Sequence, residues 1–180
     1  MKKKIIICLL LIISAQAYSQ KNNTSKVLRI NFVNPGIEYE MSIFNKSTLS
    51  LNCGVGFSGS YPDLTSRASG WLYLISPYID VHYRNYYNFH KRLSNNKNIN
   101  FNSANFFGLK LLSRGKDFSS NFIRTSDYDF AFGPTWGLQR SIGKINFLFD
   151  FYPAYYFDTH GNSGVLPVNF EINIGYNLKN

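Results

Sequence analysis

Charge is scarce in this sequence: Asp, Glu, Lys and Arg make up 16% of its 180 residues, against 44% hydrophobic and 17% aromatic. So much Phe and Tyr with so little charge excludes a disordered chain and favours strands. The length points to one domain. Long apolar runs are missing too. No window after the N-terminus approaches the ~18 consecutive apolar residues of a membrane-spanning helix, so a helical span is excluded. Cysteine is nearly absent, Cys53 being the only one beyond Cys8. No group of residues has metal-ligand spacing, and no glycine-rich phosphate loop joins a strand to a helix. The expectation is a protein without metal or cofactor.

The first residues, MKKKIIICLLLIISAQAYSQ, have a basic start, an apolar run from Ile5 to Ile13, and small residues at Ala15 and Ala17. This is the layout of a secretory signal peptide, with cleavage after Ala17 or Ser19. Cys8 sits inside the run behind bulky Ile7, which argues against lipid acylation there. Residues 1–19 are thus expected to be a leader and 20–180 a single domain. Losing Lys2, Lys3 and Lys4 takes the formal charge from +9 to +6. Only Cys53 is then left, and no intrachain disulfide can form.

What the sequence has in quantity is alternation. In TLSLNCGVGFSGSY the apolar residues Leu49, Leu51, Cys53, Val55 and Phe57 interleave with Ser50, Asn52, Gly54, Gly56 and Ser58, all small. Period two returns in Ile37, Tyr39, Met41, Ile43 and in Tyr73, Ile75, Pro77, Ile79, Val81, Tyr83. It returns again in Phe130 to Leu138, Ile145 to Phe157 and Val168 to Leu178, and more weakly in Leu28 to Phe32 and Phe106 to Leu112. These segments read as about eight strands. A turn at Ile142 and Gly143 would set Leu138 against Phe147 and Trp136 against Phe149. A turn at Asn45, Lys46 and Ser47 would set Ile43 against Leu49 and Met41 against Leu51. Both keep the apolar rows on one side. Pro77, Pro134 and Pro153 interrupt these strands and call for bulges or strand ends, with Pro134 and Pro153 close across one hairpin.

The apolar row of these segments carries no Asp, Glu, Lys or Arg. The opposite row holds Arg29, Glu38, Glu40, Asp80, His82, Arg84, Lys110, Asp150 and Glu171. A Lys or Arg on the lipid face of a barrel costs ~2–4 kcal/mol at mid-membrane. The pattern therefore predicts an all-β, transmembrane, antiparallel up-and-down barrel. Its apolar row meets lipid, and its polar, filled interior holds those nine residues as a network. Small side chains at 50, 52, 54, 56 and 58 leave room for Arg29, Arg84 and Tyr78 to reach across. Short turns near 45–47 and 141–144 alternate with loops near 62–71, 114–127 and 158–167, as in barrels with one tight end. The link 91–101 is long for that end. A soluble lipocalin-like barrel, apolar inside, is the competing fold.

These features resemble the small outer-membrane β-barrel families of Gram-negative bacteria, of OmpA/OmpX size. The opening KVLRINFVNPGIEYEMSIFNKSTLSLNCGVGF is similar to that of an uncharacterised outer-membrane barrel family, as are YRNYYNFHKRL and FGPTWGLQRSIG. The resemblance implies outer-membrane location, insertion by the barrel-assembly machinery, and no assigned reaction. Such barrels usually end in an aromatic residue, where this chain has Asn180.

Catalytic signals are thin. Ser76, Asp80 and His82 share one row, but an acyl hydrolase needs its base within hydrogen-bond reach of its nucleophile. His160 and Ser163 lie in the turn-like DTHGNSG. Lys91, Arg92 and Lys97, and separately Arg114, Lys116 and Arg124, fall in connections, which argues against nucleic acid. Solvated loops explain them, with anionic headgroups or lipopolysaccharide phosphates as second reading. Tyr61, Tyr86, Tyr87, Tyr128 and Tyr176 are expected in the aromatic girdles. The functional expectation is a monomeric structural or interaction barrel in contact with outer-membrane lipids. A small pore and a lipid hydrolase are the alternatives.

Overall fold

Successive side chains of a strand point to opposite faces, so a period-two sequence can put one row inside and leave the other outside. The computed structural model of the chain describes residues 23–60, 72–121 and 123–179. The expected leader and the loop 62–71 lie outside the described residues. The fold is all-β, an eight-stranded antiparallel up-and-down barrel that closes on itself.

Its elements are β1 (Val27–Asn31), β2 (Gly36–Phe44), β3 (Ser47–Ser60), β4 (Leu72–Asn85), the short helix α1 (Phe89–Ser94) and β5 (Asn105–Arg114). After them come β6 (Ser119–Ser120), β7 (Asp129–Ile142), β8 (Ile145–Phe151), β9 (Ala154–Asp158), β10 (Ser163–Leu166) and β11 (Phe170–Lys179). Two pairs of elements are broken single strands: β8 and β9 both pair with β7, while β10 and β11 pair with β9 and β8. The β1–β11 ladder closes the barrel, with Ile30 opposite Tyr176.

Both predicted hairpin registers are displaced by two residues. Leu138 faces Phe149, not Phe147, because the turn is made by Gly143 and Lys144. Gly143 has φ +56°, a value closed to the β-branched Ile142, which stays in the strand opposite Ile145. In the other hairpin Met41 faces Leu49, and a bulge between Ser42 and Phe44 absorbs Ile43. A two-residue shift preserves side-chain parity, so the rows keep their faces.

The strand prolines stand where ladders break. Pro77 pairs with Val55 on β3, and on its other side its carbonyl accepts from the Gly115 N–H at 2.9 Å. There the β4–β5 ladder has ended at Tyr78 and Arg114, and β6 resumes at Ile75 and Ser119 with a changed register. The β7 register runs in phase from Trp136–Phe151 to Phe132–Tyr155, which sets Pro134 across from Pro153 in an unpaired gap. Neither has an N–H to lose there. Beyond Pro153 the register against β10 and β11 slips by one, with Tyr152 and Asn169 exchanging backbone hydrogen bonds of 2.9 and 3.1 Å.

The outward row is apolar and exposed: Ile37, Leu51, Phe57, Ile79, Phe107, Leu109, Phe132, Ile172 and Ile174 all belong to it. One cation joins it, since β7 runs on past Leu138 and brings Arg140 to the outward side near the tight turns. The link between β4 and β5 folds as a cap on that end. Tyr86, Phe89, Ala104, Phe106 and Leu148 form a buried cluster with Ile99 against it. Asn102 fastens the cap to the start of the barrel, accepting from the Ser25 N–H at 2.7 Å and donating to the Ser25 carbonyl at 2.9 Å.

Candidate functional site

Inward parity, applied along each strand, delivers all nine predicted residues to the barrel interior. Eight are buried, and Glu171 keeps 16% of its side chain exposed. They divide into two sets.

Toward the tight turns, Arg29 on β1 and Glu38 on β2 are register partners, with Nη1 to Oε2 at 2.7 Å. Arg84 on β4 donates to the other oxygen of Glu38 at 2.8 Å, so one carboxylate bridges two guanidinium groups. Glu40 lies 3.5 Å from Arg29 and 3.8 Å from Arg84. It accepts from the hydroxyls of Tyr86 at 2.6 Å and Thr48 at 2.8 Å and from the amide of Gln139 at 3.2 Å. Asn177 on β11 accepts from Arg29 Nε at 2.8 Å. Two cations and two carboxylates balance here, and their remaining hydrogen-bonding capacity is largely filled, as buried charges require.

Toward the loops, Lys110 on β5 is, among the described residues, the single cation amid three carboxylates. Its Nζ lies 3.4 Å from Asp80 and 3.0 Å from Asp150, and it also donates to Glu171. The ammonium sits 4.8 Å from the centre of the Tyr152 ring. Asp150 and Glu171 are neighbours across the β8–β11 ladder, and Asn52 and Asp80 across β3–β4. Balance fails on this side: Asp80 Oδ1, Asp150 Oδ1, Asn52 Oδ1 and Asn173 Oδ1 are buried without a hydrogen-bond partner among the described residues.

His82 stands between the sets. Its Nδ1 accepts from Arg84 Nε at 3.2 Å, its Nε2 has no partner among the described residues, and Phe106 packs edge-on at 5.3 Å. Ser76 lies six residues along β4, about 20 Å away at ~3.3 Å per strand residue. The serine and histidine on this row therefore do not form a nucleophile and base pair.

The reaching across the small residues is done by Tyr78 alone of the three predicted. A Cβ on Gly56 would meet its ring at 3.0 Å, and one on Gly36 its hydroxyl at 2.8 Å. Arg29 instead lies over Gly175, and Arg84 extends from beside Thr48 to Gln139.

Several participants are new relative to the sequence reading. Tyr86, expected in an aromatic girdle, has no exposure and donates to Glu40, because the inward parity of His82 and Arg84 continues to it. Asp129, one step before Phe130 and on the inward parity, binds Arg114 and Arg124 at 2.7 and 2.8 Å. Those two arginines are thus paired and not simply solvated. In the same loop the Ser120 hydroxyl, donating to Asp117, holds that carboxyl below the usual range. Among the described residues no group of His, Cys, Asp and Glu is arranged to hold a metal ion. Compared with known protein families, curated proteins and solved structures, the chain matches none.

Proposed function

We propose that this chain is an outer-membrane β-barrel of a Gram-negative cell envelope, acting as a structural or interaction protein with no reaction of its own. The observation that carries the reading is the inversion of polarity. Arg29, Glu40, His82 and Asp150 are fully enclosed, while Ile37, Ile79, Phe107 and Phe170 are more than half exposed. In water that arrangement leaves a continuous apolar belt unsatisfied, whereas in a bilayer it is what a barrel wall needs. A soluble lipocalin-like carrier requires the opposite rows.

A pore is disfavoured by the same interior. The Arg29, Glu38, Arg84 and Glu40 set spans the lumen, and the aromatic cap closes the tight-turn end. The role left to the molecule lies at its surface, in lipid contact and in the loops. There the β9–β10 hairpin is tied by Asp158 and the 114–127 segment by Asp129.

Membrane fractionation with gel migration of boiled and unboiled samples tests the location. The proposal expects an outer-membrane band that shifts on heating, and a soluble periplasmic band without a shift would refute it. In planar bilayers the same protein is expected to give no steady conductance. His82→Ala is expected to leave the extracted lipids of the cell unchanged, and a lipid change lost in that variant would revive the hydrolase.

A further inference from the structure

A groove of ≈ 310 Å³ runs between the cap and the outward wall of β5 and β7, lined by Tyr87, Asn88, Lys91, Arg92, Lys97 and Arg140 among others. Four of those side chains are cations. No described carboxylate pairs with any of them, and none lies at that end outside the interior. Glu38, Glu40, Asp80, Asp150 and Glu171 are in the lumen, and Asp117, Asp127, Asp129 and Asp158 are at the loop end. Lys46 and Lys144 in the two tight turns extend the basic rim. Among the described residues the positive excess is thus collected at one end of the barrel.

Two of the groove's cations are held in place. Arg92 donates to the Asn98 carbonyl at 2.7 and 3.2 Å. Arg140 donates to the Gln139 carbonyl at 2.7 Å and to the Asn105 side chain. Asn105 and Trp136 both donate to the Tyr87 hydroxyl, each at 3.2 Å, and the Tyr87 ring lies 5.1 Å from Phe107. Directly beside the cations, then, begins an aromatic wall that continues along β5 and β7 into Leu109 and Phe132.

We infer that this groove binds the anionic phosphate headgroup of a membrane glycerophospholipid in the leaflet at the tight-turn end, with the acyl chains lying on Phe107, Trp136 and Leu109. Fixed guanidinium groups and two exposed lysines supply the anion site, and the wall supplies the apolar surface that a soluble anion would not need. Aromatic rings beside one end of a transmembrane barrel are where interfacial girdles form. This inference rests on the membrane reading above.

The test uses the Trp136 indole as reporter. The chain carrying Trp71→Phe is reconstituted in phosphatidylcholine vesicles doped with brominated phosphatidylglycerol or with brominated phosphatidylcholine, and quenching is compared. The inference expects the anionic lipid to quench preferentially, by roughly fivefold for each cation engaged. The preference should fall in K91Q/K97Q, whose exposed side chains bear no fold, and in Arg140→Gln. Millimolar inorganic phosphate should leave it intact. Equal quenching by both lipids in a barrel that still shifts on heating would overturn the inference and leave the membrane reading standing. Loss of the preference on adding phosphate would also overturn it, marking a site for free anions. Failure to insert into either vesicle would remove the membrane reading, and this inference with it.

Discussion

Glu38 and Arg84, on neighbouring sides of the barrel, meet at 2.8 Å with Arg29 held on the other oxygen of the same carboxylate at 2.7 Å. Removing the bridge strands two buried guanidinium groups. Glu38→Gln is expected to destabilise the reconstituted barrel by about 3–5 kcal/mol in urea titrations. The double variant Glu38→Leu with Arg84→Leu should recover part of that loss, and strictly additive effects would show that the pair does not interact.

Lys110 carries a heavier burden, because among the described cations it is the one that pairs with Asp80, Asp150 and Glu171. Lys110→Met should cost at least as much as Glu38→Gln, leaving three carboxylates without a counter-ion. Adding Asp150→Asn and Glu171→Gln to it should restore stability. A barrel as stable with Lys110→Met as without it would contradict the arrangement.

Small residues on β3 are there for different neighbours. A Cβ at Gly54 would come within 2.0 Å of the Pro35 carbonyl, which is backbone, whereas at Gly56 it meets the Tyr78 ring at 3.0 Å. Gly54→Ala should therefore cost about 1–3 kcal/mol or more, and Gly56→Ala less. Tyr78→Ala should relieve a larger residue at 56 and not one at 54. Chemical denaturation of the four variants checks this.

At the loop end, the Asp158 carboxylate accepts from the Asn162 side chain at 2.8 Å and from the His160 and Asn162 amides at 2.9 Å each. These bonds, the Asn162 side chain first, hold its pKa below the usual Asp range. A carboxyl with a lowered folded-state pKa stabilises above its unfolded value, ~3.9, and the contribution is lost as pH falls through the folded value. Amide exchange at His160 and Asn162 should stay protected from neutral pH down to the ordinary Asp range and open only as pH falls below it. Asp158→Asn should remove the pH dependence.

The alternation of Leu49 to Phe57, or of Ile145 to Phe151, made the strands and their faces legible, since parity survives any even shift in register. For the same reason it could not fix the register. That needed the positive φ of Gly143 and the bulge at Ile43, which are backbone properties with weak sequence marks. The Arg29–Glu38 pair is cross-strand and could be reached from the first hairpin, but the Lys110 cluster joins β4, β5, β8 and β11 and exists only once the barrel closes. Tyr86 and Asp129 were readable by extending inward parity one step beyond each strand. The cap was not, because Tyr86, Phe89, Ile99 and Ala104 follow no period and meet only in the folded link.

A charge placed on the outward row separates a lipid-facing wall from a wetted one. Ile79, near the middle of β4 with Cys53 across from it, is 52% exposed. At such a site on a protein in water, Ile79→Arg would change stability by only ~0.5 kcal/mol either way. On a wall facing lipid it should cost ~2–4 kcal/mol in vesicles. A loss in that range would mean the apolar row meets the bilayer, and a barrel equally stable with the arginine would mean that it does not.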